Sequence, residues 1–451
     1  MRLARELPWS AAGVVALTAL VYVSAARTVF QFDDYNVIVD NPEVHSLGAW
    51  TQALGAGVRP LLRLSYTLNW LTETGPASFV LVNVIVHLLN TLLVLVLARS
   101  WLTARSEWLE PTARGVVSVL AALLFALHPA QTEAVTYVCG RSTSLMALPY
   151  LAVLALHGRE QGRRGHVVLG MLGMVAALAV KETAITLPLA LMWWDRARGL
   201  AWGAAWRRTR PYWLLALGVA LVFLLTPAYR THWQRSLDFN TLYGNLATQS
   251  LAWVYLLRQT LWPLALNIDP DLPVLSGFDG VGWLVVAALG GAVVTGLALR
   301  WRPWWGWALL WAALHWVPLH LLLPRLDVAN DRQLYLALWP LAMALAVELG
   351  RWRRAGVAVM LGLVLLTGLT ALTVQRNRLY ASEVALWEDT ARQSSGKARV
   401  FNNLGYAYSL AGREDDAVAA YRRALCLDGH DVKARLNLYR LRPDPKLLQN
   451  P

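Results

Sequence analysis

Two adjacent carboxylates, Asp33 and Asp34, stand in the stretch Phe32-Asp33-Asp34-Tyr35, just after the first long apolar run of the chain. Adjacent acids can divide labour, one taking a proton from a hydroxyl while the other holds a cation or orients its neighbour. Carboxylates near a bilayer surface cost desolvation energy unless they face water, a cation or a substrate, so a solvated loop is the competing reading. Further on, the run His128 to Val135 and the tripeptide Gly140-Arg141-Ser142 set an imidazole, the Glu133 carboxylate and the Arg141 guanidinium in one short stretch. His128 before a proline can equally be a cap, and Glu133 can open a helix whose N terminus favours an acid.

Lys181-Glu182 sits between two apolar runs with almost no loop, which fits either a salt bridge at membrane depth or a phosphate-binding lysine. Arg59 before Pro60, and Arg332 after Asp331, add guanidinium groups of the kind that grips phosphate with two parallel hydrogen bonds. For Arg59 any anionic lipid headgroup would serve as well. The chain contains no Walker loop, dinucleotide fingerprint or His-Glu-x-x-His motif. Acids and cations without a nucleotide site suit a lipid-linked donor whose phosphate is the leaving group.

These residues need a frame, and composition supplies it. Hydrophobic residues make up 57% of 451, charged residues only 15%, more apolar surface than one soluble core could hide. A bilayer takes up the excess. The 23 tryptophans, as in Trp193-Trp194 and Trp304-Trp305, read as a belt at the membrane boundary rather than as core. The net charge of +13 falls between hydrophobic runs and not along one basic stripe, which argues against nucleic acid. Cys139 and Cys426 are far apart and read as two buried thiols.

Eleven apolar runs are expected to span: Trp9 to Ala26, Phe79 to Ala98, Gly115 to Ala130, Ser144 to His157, Val167 to Val180, Thr183 to Trp194, Tyr212 to Thr226, Val281 to Leu299, Trp304 to Leu323, Leu334 to Leu349 and Val357 to Val374. Arginine clusters orient them, because Lys and Arg in short loops resist translocation. Arg99, Arg105 and Arg114, the cluster Arg196 to Arg210, Arg300 with Arg302, and Arg351 to Arg354 share one side, the cytoplasm, with the N terminus. The apolar segment Leu242 to Leu266 would break that parity as a span, so it is placed at the interface. Residues 27–78, His128 to Ser142, Lys181-Glu182 and Pro324 to Gln333 then lie outside, together with the tail after Gln375.

In that tail, Phe401, Leu404, Gly405, Tyr408, Ala417, Tyr421 and Ala424 match the tetratricopeptide pattern, with Trp387 lying 34 residues before Tyr421. The expected architecture is therefore all-α: a polytopic membrane domain over 1–374 and a short repeat tail over 375–451.

Taken in order, Asp33-Asp34-Tyr35, Arg59-Pro60-Leu61, Asn83 with His87 and Asn90, the His128 to Val135 run, Gly140-Arg141-Ser142, Lys181-Glu182-Thr183 and Asp331-Arg332 with Leu334-Tyr335-Leu336 resemble the transmembrane and tetratricopeptide-repeat-containing O-mannosyltransferases and their bacterial relatives, within the GT-C glycosyltransferases. The tail is far shorter than the repeat arrays of the animal members. The resemblance implies transfer of mannose or another hexose from a polyprenyl-phosphate donor to a hydroxyl of a protein or glycan, on the outer face of the cell (inner) membrane, with inversion. It gives Asp33 and Asp34 the catalytic role, with a divalent metal at these acids in some GT-C enzymes. Glu133 would position acceptor or sugar. Arg59, Arg141, Lys181 and Arg332 would bind the donor phosphate, with His128 and Glu182 as further site candidates. Two other classes compete: a scaffold whose repeat tail recruits an envelope-assembly partner, and a transporter suggested by the intramembrane Asn83, His87 and Asn90. Against transport, no inverted repeat is visible, and His87 with Asn83 suits a hydrogen-bonded helix contact.

Overall fold

The computed structural model describes residues 2–55, 57–72, 74–158, 164–237, 242–275, 279–316 and 327–444, and the described residues form helices and loops without a strand. Helix α1 (Arg2–Tyr22) passes through a 3-10 turn into a loop that carries α2 (Leu47–Gln52) and α3 (Pro60–Trp70). The long α4 (Pro76–Arg105) and α5 (Pro111–Ala126) both begin on proline, whose missing N–H costs nothing in a first turn. The single turn α6 (Thr132–Val135) leads to the antiparallel neighbours α7 (Arg141–His157) and α8 (Arg164–Val180). Next come α9 (Leu187–Ala197), α10 (Trp202–Leu225), α11 (Pro227–Leu237), α12 (Leu242–Leu261), α13 (Asp279–Trp301) and α14 (Pro303–Trp316). The bundle closes with α15 (Tyr335–Gly350) and α16 (Ala355–Leu379), and the tail adds α17 (Glu383–Gln393), α18 (Ala398–Leu410), α19 (Glu414–Leu427) and α20 (Val432–Leu441).

Among the described residues six helical stretches are long and apolar enough to cross a membrane: Trp9–Arg27, Pro76–Arg105, Val138–His157, Trp202–Leu225, Asp331–Gly350 and Ala355–Leu379. A seventh is added if Pro111–Ala126 and Pro129–Val135, bent by 52°, cross as one unit. The protein is thus a multi-pass, all-α membrane protein. Part of the difference from eleven runs is one of length, since a hydrocarbon core of about 30 Å needs about 20 residues at 1.5 Å each. Helix α9 has 11 residues and Gly165–Val180 is apolar but short, whereas α13 is 23 residues long and enters the count only from Ala288. The run Trp304 to Leu323 is described only to Trp316, and 317–323 lie outside the described residues. Helix α12, from the segment read as interfacial, is not among the six.

Burial ranks the helices. Of the stretch containing α7, 78% is buried, and of that containing α15, 72%, against 11% for α16 and 17% for α10. Helices α7 and α15 are therefore the packed centre, and α10 and α16 carry apolar residues outward to lipid.

The tryptophans depart from a pure boundary belt. Trp194, Trp311 and Trp339 are fully buried and pack with Trp307 at ring-centroid separations of 5.2–6.0 Å. Edge-on indole packing fills the junction of α9, α14 and α15 with large rigid groups. Trp9, Trp202, Trp206, Trp262 and Trp301 stay exposed at helix ends, as the belt requires. Of the two thiols only Cys139 is buried; Cys426, on the outward face of α19, is exposed.

In the tail, Gly405 faces the Tyr421 ring, and a Cβ there would lie 2.7 Å from ring carbon. That close approach is why a small residue alternates with an aromatic one. The tail is also stitched to the bundle: Trp387 packs edge-on against Phe32 at 5.4 Å, and Gln31 donates to the Tyr380 carbonyl at 2.6 Å.

Candidate functional site

A polar cavity of about 170 Å³ opens where the loop after α1, the first turns of α3 and α7, the break between α8 and α9, the end of α14 and the approach to α15 converge. Asp33, Arg59, Lys181 and Arg332 line it, together with Tyr66, Cys139, Thr143, Thr183, His315, Asn330 and Gln333. Residues 300 positions apart are thereby gathered around one space.

The two adjacent acids separate into different environments. Asp34 is wholly buried and accepts backbone N–H bonds from Gln31 at 3.0 Å and Cys139 at 2.9 Å. Asp33 faces the cavity, and its own N–H donates to the Tyr137 hydroxyl at 3.1 Å. Burial raises the Asp33 carboxyl above the ordinary 3.8, opposed by the positive charge of Arg332. Burial also pushes Asp34 up to about 7, against the pull of its hydrogen bonds. Just before the pair, Phe32 has φ 49°, and at the other wall Arg59 has φ 58°. These are the only non-glycine residues with positive φ among the described residues, and such strain, of order 1–3 kcal/mol each, collects where a site needs it.

Helix breaks set the cations in place. Lys181 is extended between α8 and the 3-10 turn Glu182–Thr186, and its ammonium donates to Thr143 at 2.7 Å. Arg59 grips Glu182 with the Nε–Nη2 edge of its guanidinium at 2.8–3.1 Å, and this carboxylate raises the Arg59 pKa further. Arg332 is held differently. Its backbone N–H donates to Glu133 at 3.2 Å, while its side-chain nitrogens stand 3.5 Å from Glu133 and 3.9 Å from Asp327, outside good hydrogen-bond range. The guanidinium of Arg332 therefore points into the cavity with its donors largely unspent.

Other expected site residues stand behind this wall. Glu133 is 3% exposed and acts on Arg332, not on the cavity. Arg141 is fully buried, bonded to Asn83 at 2.6 Å and to the carbonyls of Phe79 and Ser65 at 2.7 and 2.9 Å, with the Tyr66 and Phe79 rings beneath it. It ties α4 and the loop helix α3 to α7. Gly140 before it is needed by packing, because a Cβ there would fall 2.0 Å from the Glu133 carbonyl oxygen. His128 caps the turn at Pro129 by accepting the Ala130 N–H at 3.2 Å, the structural reading of that residue. Glu182 serves as the partner of Arg59. His87 and Asn90 meet the Tyr335 hydroxyl at 2.8 and 3.0 Å, so the intramembrane polar set is a web of interhelical contacts.

Four lining residues were given no site role by the sequence, although Thr183 stands in the Lys181-Glu182-Thr183 motif. Thr183 Oγ1, His315 Nε2, Asn330 Oδ1 and Gln333 Nε2 are buried polar atoms with no hydrogen-bond partner among the described residues, and all four line this cavity. An unsatisfied buried polar group costs about 1–3 kcal/mol, so these four atoms leave hydrogen-bonding capacity open to whatever fills the cavity. A histidine inside an apolar helix was the one available signal. For a divalent metal the acid pair fits poorly, since Asp34 spends both oxygens on backbone N–H groups, and no group of three His, Cys, Asp or Glu among the described residues is arranged to hold one.

Comparison with known proteins gives relatives of one kind. The chain is 34% identical over 192 residues to the fruit fly protein O-mannosyl-transferase Tmtc1, covering 39% of this chain and 21% of that protein. It is 30% identical over 193 residues to mouse protein O-mannosyl-transferase TMTC3, covering 38% and 20%. With fruit fly Tmtc3 the alignment runs over 466 residues at 25% identity, covering 85% of this chain and 50% of the relative. The chain thus spans from a fifth to half of the length of these relatives. No family model and no solved structure matches. Asp33, Arg59, Lys181 and Arg332 from the motifs that resembled the family line one cavity, and these aligned proteins carry the same activity in their names: the chain is similar to the Tmtc-type protein O-mannosyl-transferases.

Proposed function

We propose that the chain is a membrane glycosyltransferase that moves a sugar from a polyprenyl-phosphate donor to a hydroxyl acceptor at the outer face of the membrane. The observation that carries this reading is the pairing, on one cavity, of a carboxylate (Asp33) with Lys181 and Arg332 and with four polar atoms that have no partner among the described residues and suit sugar hydroxyls. Asp33 accepts the proton of the acceptor hydroxyl as its oxygen attacks the anomeric carbon. The bond from that carbon to the phosphate oxygen breaks on the opposite side, so configuration inverts. The polyprenyl phosphate departs with its added negative charge against Lys181 and Arg332, stabilisation that is usually the largest contribution to such catalysis. Arg59 completes the cationic rim. Glu133 positions Arg332, Arg141 and His128 hold the surrounding helices, and Asp34 fixes the turn that aims Asp33.

Mannose is the sugar suggested by the relatives' names, with a protein hydroxyl as acceptor. The arginine clusters favour a cytoplasmic N terminus, with the cavity and tail on the far side of an inner membrane. The tail's helix pairs and the Gly405–Tyr421 contact suit tetratricopeptide repeats. To test the reading, membranes containing the full chain are supplied with radiolabelled polyprenyl-phosphate mannose. Label transferred to protein or glycan, and lost in Arg332→Gln, supports it; no transfer above membranes lacking the protein contradicts it.

A further inference from the structure

Arg399 opens α18 in the tail, yet its guanidinium reaches into the loops of the bundle. It donates to Asp269 at 2.5 and 2.8 Å and to Asp327 at 2.7 Å. Lys397 places a second cation on Asp269 at 2.6 Å, so Asp269 keeps a partner without Arg399. Among the described residues Asp327 is hydrogen-bonded to no other cation, although the Lys397 charge also reaches it. Its other neighbour is Arg332, 3.9 Å away, the guanidinium that lines the cavity.

One carboxylate therefore stands between two guanidinium groups and is hydrogen-bonded to only one of them. Opposite charges at contact distance in a partly desolvated site attract strongly, and Lys397 is already engaged by Asp269, so Asp327 released from Arg399 is drawn to the unspent donors of Arg332. An ion pair there would neutralise the cation and occupy the donors that an incoming phosphate needs.

We infer that Arg399 is a positioning residue for transfer: by holding Asp327 it keeps that carboxylate off Arg332 and leaves the Arg332 guanidinium open to an anionic phosphate. The tail is thereby part of the site, acting through charge and not through substrate contact. The inference rests on the assignment of Arg332 to the donor phosphate.

The experiment measures kcat and the donor KM of the purified full chain with polyprenyl-phosphate mannose. Arg399→Gln is expected to raise the donor KM about tenfold with kcat changed less than about threefold, the pattern of lost binding. Adding Asp327→Asn to that variant removes the intruding charge and returns the donor KM to within about threefold of the parent value. A structural role for Arg399 makes the opposite forecast, because the second substitution removes another hydrogen bond. Loss confined to kcat or to folded protein, unrelieved by Asp327→Asn, overturns the inference. Should Arg399→Gln fail to accumulate, Arg399→Lys, which can hold one carboxylate but not both, carries the same comparison. Arg332→Gln separates the two readings: an unchanged donor KM removes the phosphate assignment and this inference with it, while a raised KM there with none in Arg399→Gln removes this inference alone.

Discussion

Asp34 accepts the backbone N–H of Cys139 at 2.9 Å, across 105 residues of sequence, and so pins the loop after α1 to the turn that begins α7. This bond decides which of two adjacent acids can act. One is a strut; the other faces the cavity.

Replacing the strut and replacing the proposed base should fail in different ways. Asp34→Ala leaves two buried N–H groups without an acceptor, each worth about 1–3 kcal/mol, and should lower the thermal stability of the detergent-solubilised protein by several degrees. Asp33→Ala should leave the melting temperature within about two degrees, since Asp33 is only part-buried and its N–H bond to Tyr137 is made by backbone.

Asp34 also predicts a direction for stability against pH. Its carboxyl is raised to about 7 in the folded protein from the ordinary 3.8, so the native state holds a proton that the unfolded chain has released. That contribution is complete below the unfolded value and is lost as pH rises through about 7. Thermal melts between pH 5 and 8 should show stability from this group falling with pH, and Asp34→Asn should flatten the slope; a slope unchanged in Asp34→Asn would assign the effect elsewhere.

Unpartnered polar atoms predict a trade between stability and activity. His315 packs against Tyr150 and Trp311, and its Nε2 has no partner among the described residues. His315→Phe keeps the ring and removes the orphaned nitrogen, so the melting temperature should stay level or rise while transfer falls about tenfold or more. Asn330→Leu should behave alike. Loss of stability together with activity would mean that these groups serve packing.

Gly140 tests the close approach behind Arg332. A Cβ at this position would meet the Glu133 carbonyl oxygen at 2.0 Å and the Ala134 Cα at 2.9 Å, both backbone atoms that cannot swing aside. Gly140→Ala should cost about 1–3 kcal/mol and shift Glu133, with reduced transfer in the protein that still folds. Melting curves and the donor KM read the two effects separately.

The sequence made the helical class, the membrane and the chemistry-bearing residue types legible, because hydrophobic excess, helix-breaking Lys181-Glu182 and paired acids are all local signals. Roles were less legible. Arg141 and Arg332 look alike in sequence, each a guanidinium in a polar loop, yet one meets three oxygens of its own protein and the other stands 3.5 Å or more from its nearest carboxylates. Which of the two keeps its donors unspent depends on Asn83, Phe79 and Ser65, contributed by other elements. Asn330 and Gln333 were invisible for the same reason, as a polar side chain becomes notable only when folding buries it, here with no partner for Asn330 Oδ1 or Gln333 Nε2 among the described residues. The boundary belt was half legible: indoles at helix ends and indoles wedged between helices have the same spacing along the chain.

The central claim, that Asp33 is the base of a sugar transfer from a polyprenyl-phosphate donor, is tested most directly by Asp33→Asn in the full chain with labelled polyprenyl-phosphate mannose. Asparagine keeps the size and removes the basic oxygen pair, so transfer should drop by about a hundredfold or more, within the usual range for a lost general base, with the donor KM little changed. Transfer at the parental rate in Asp33→Asn would contradict the account.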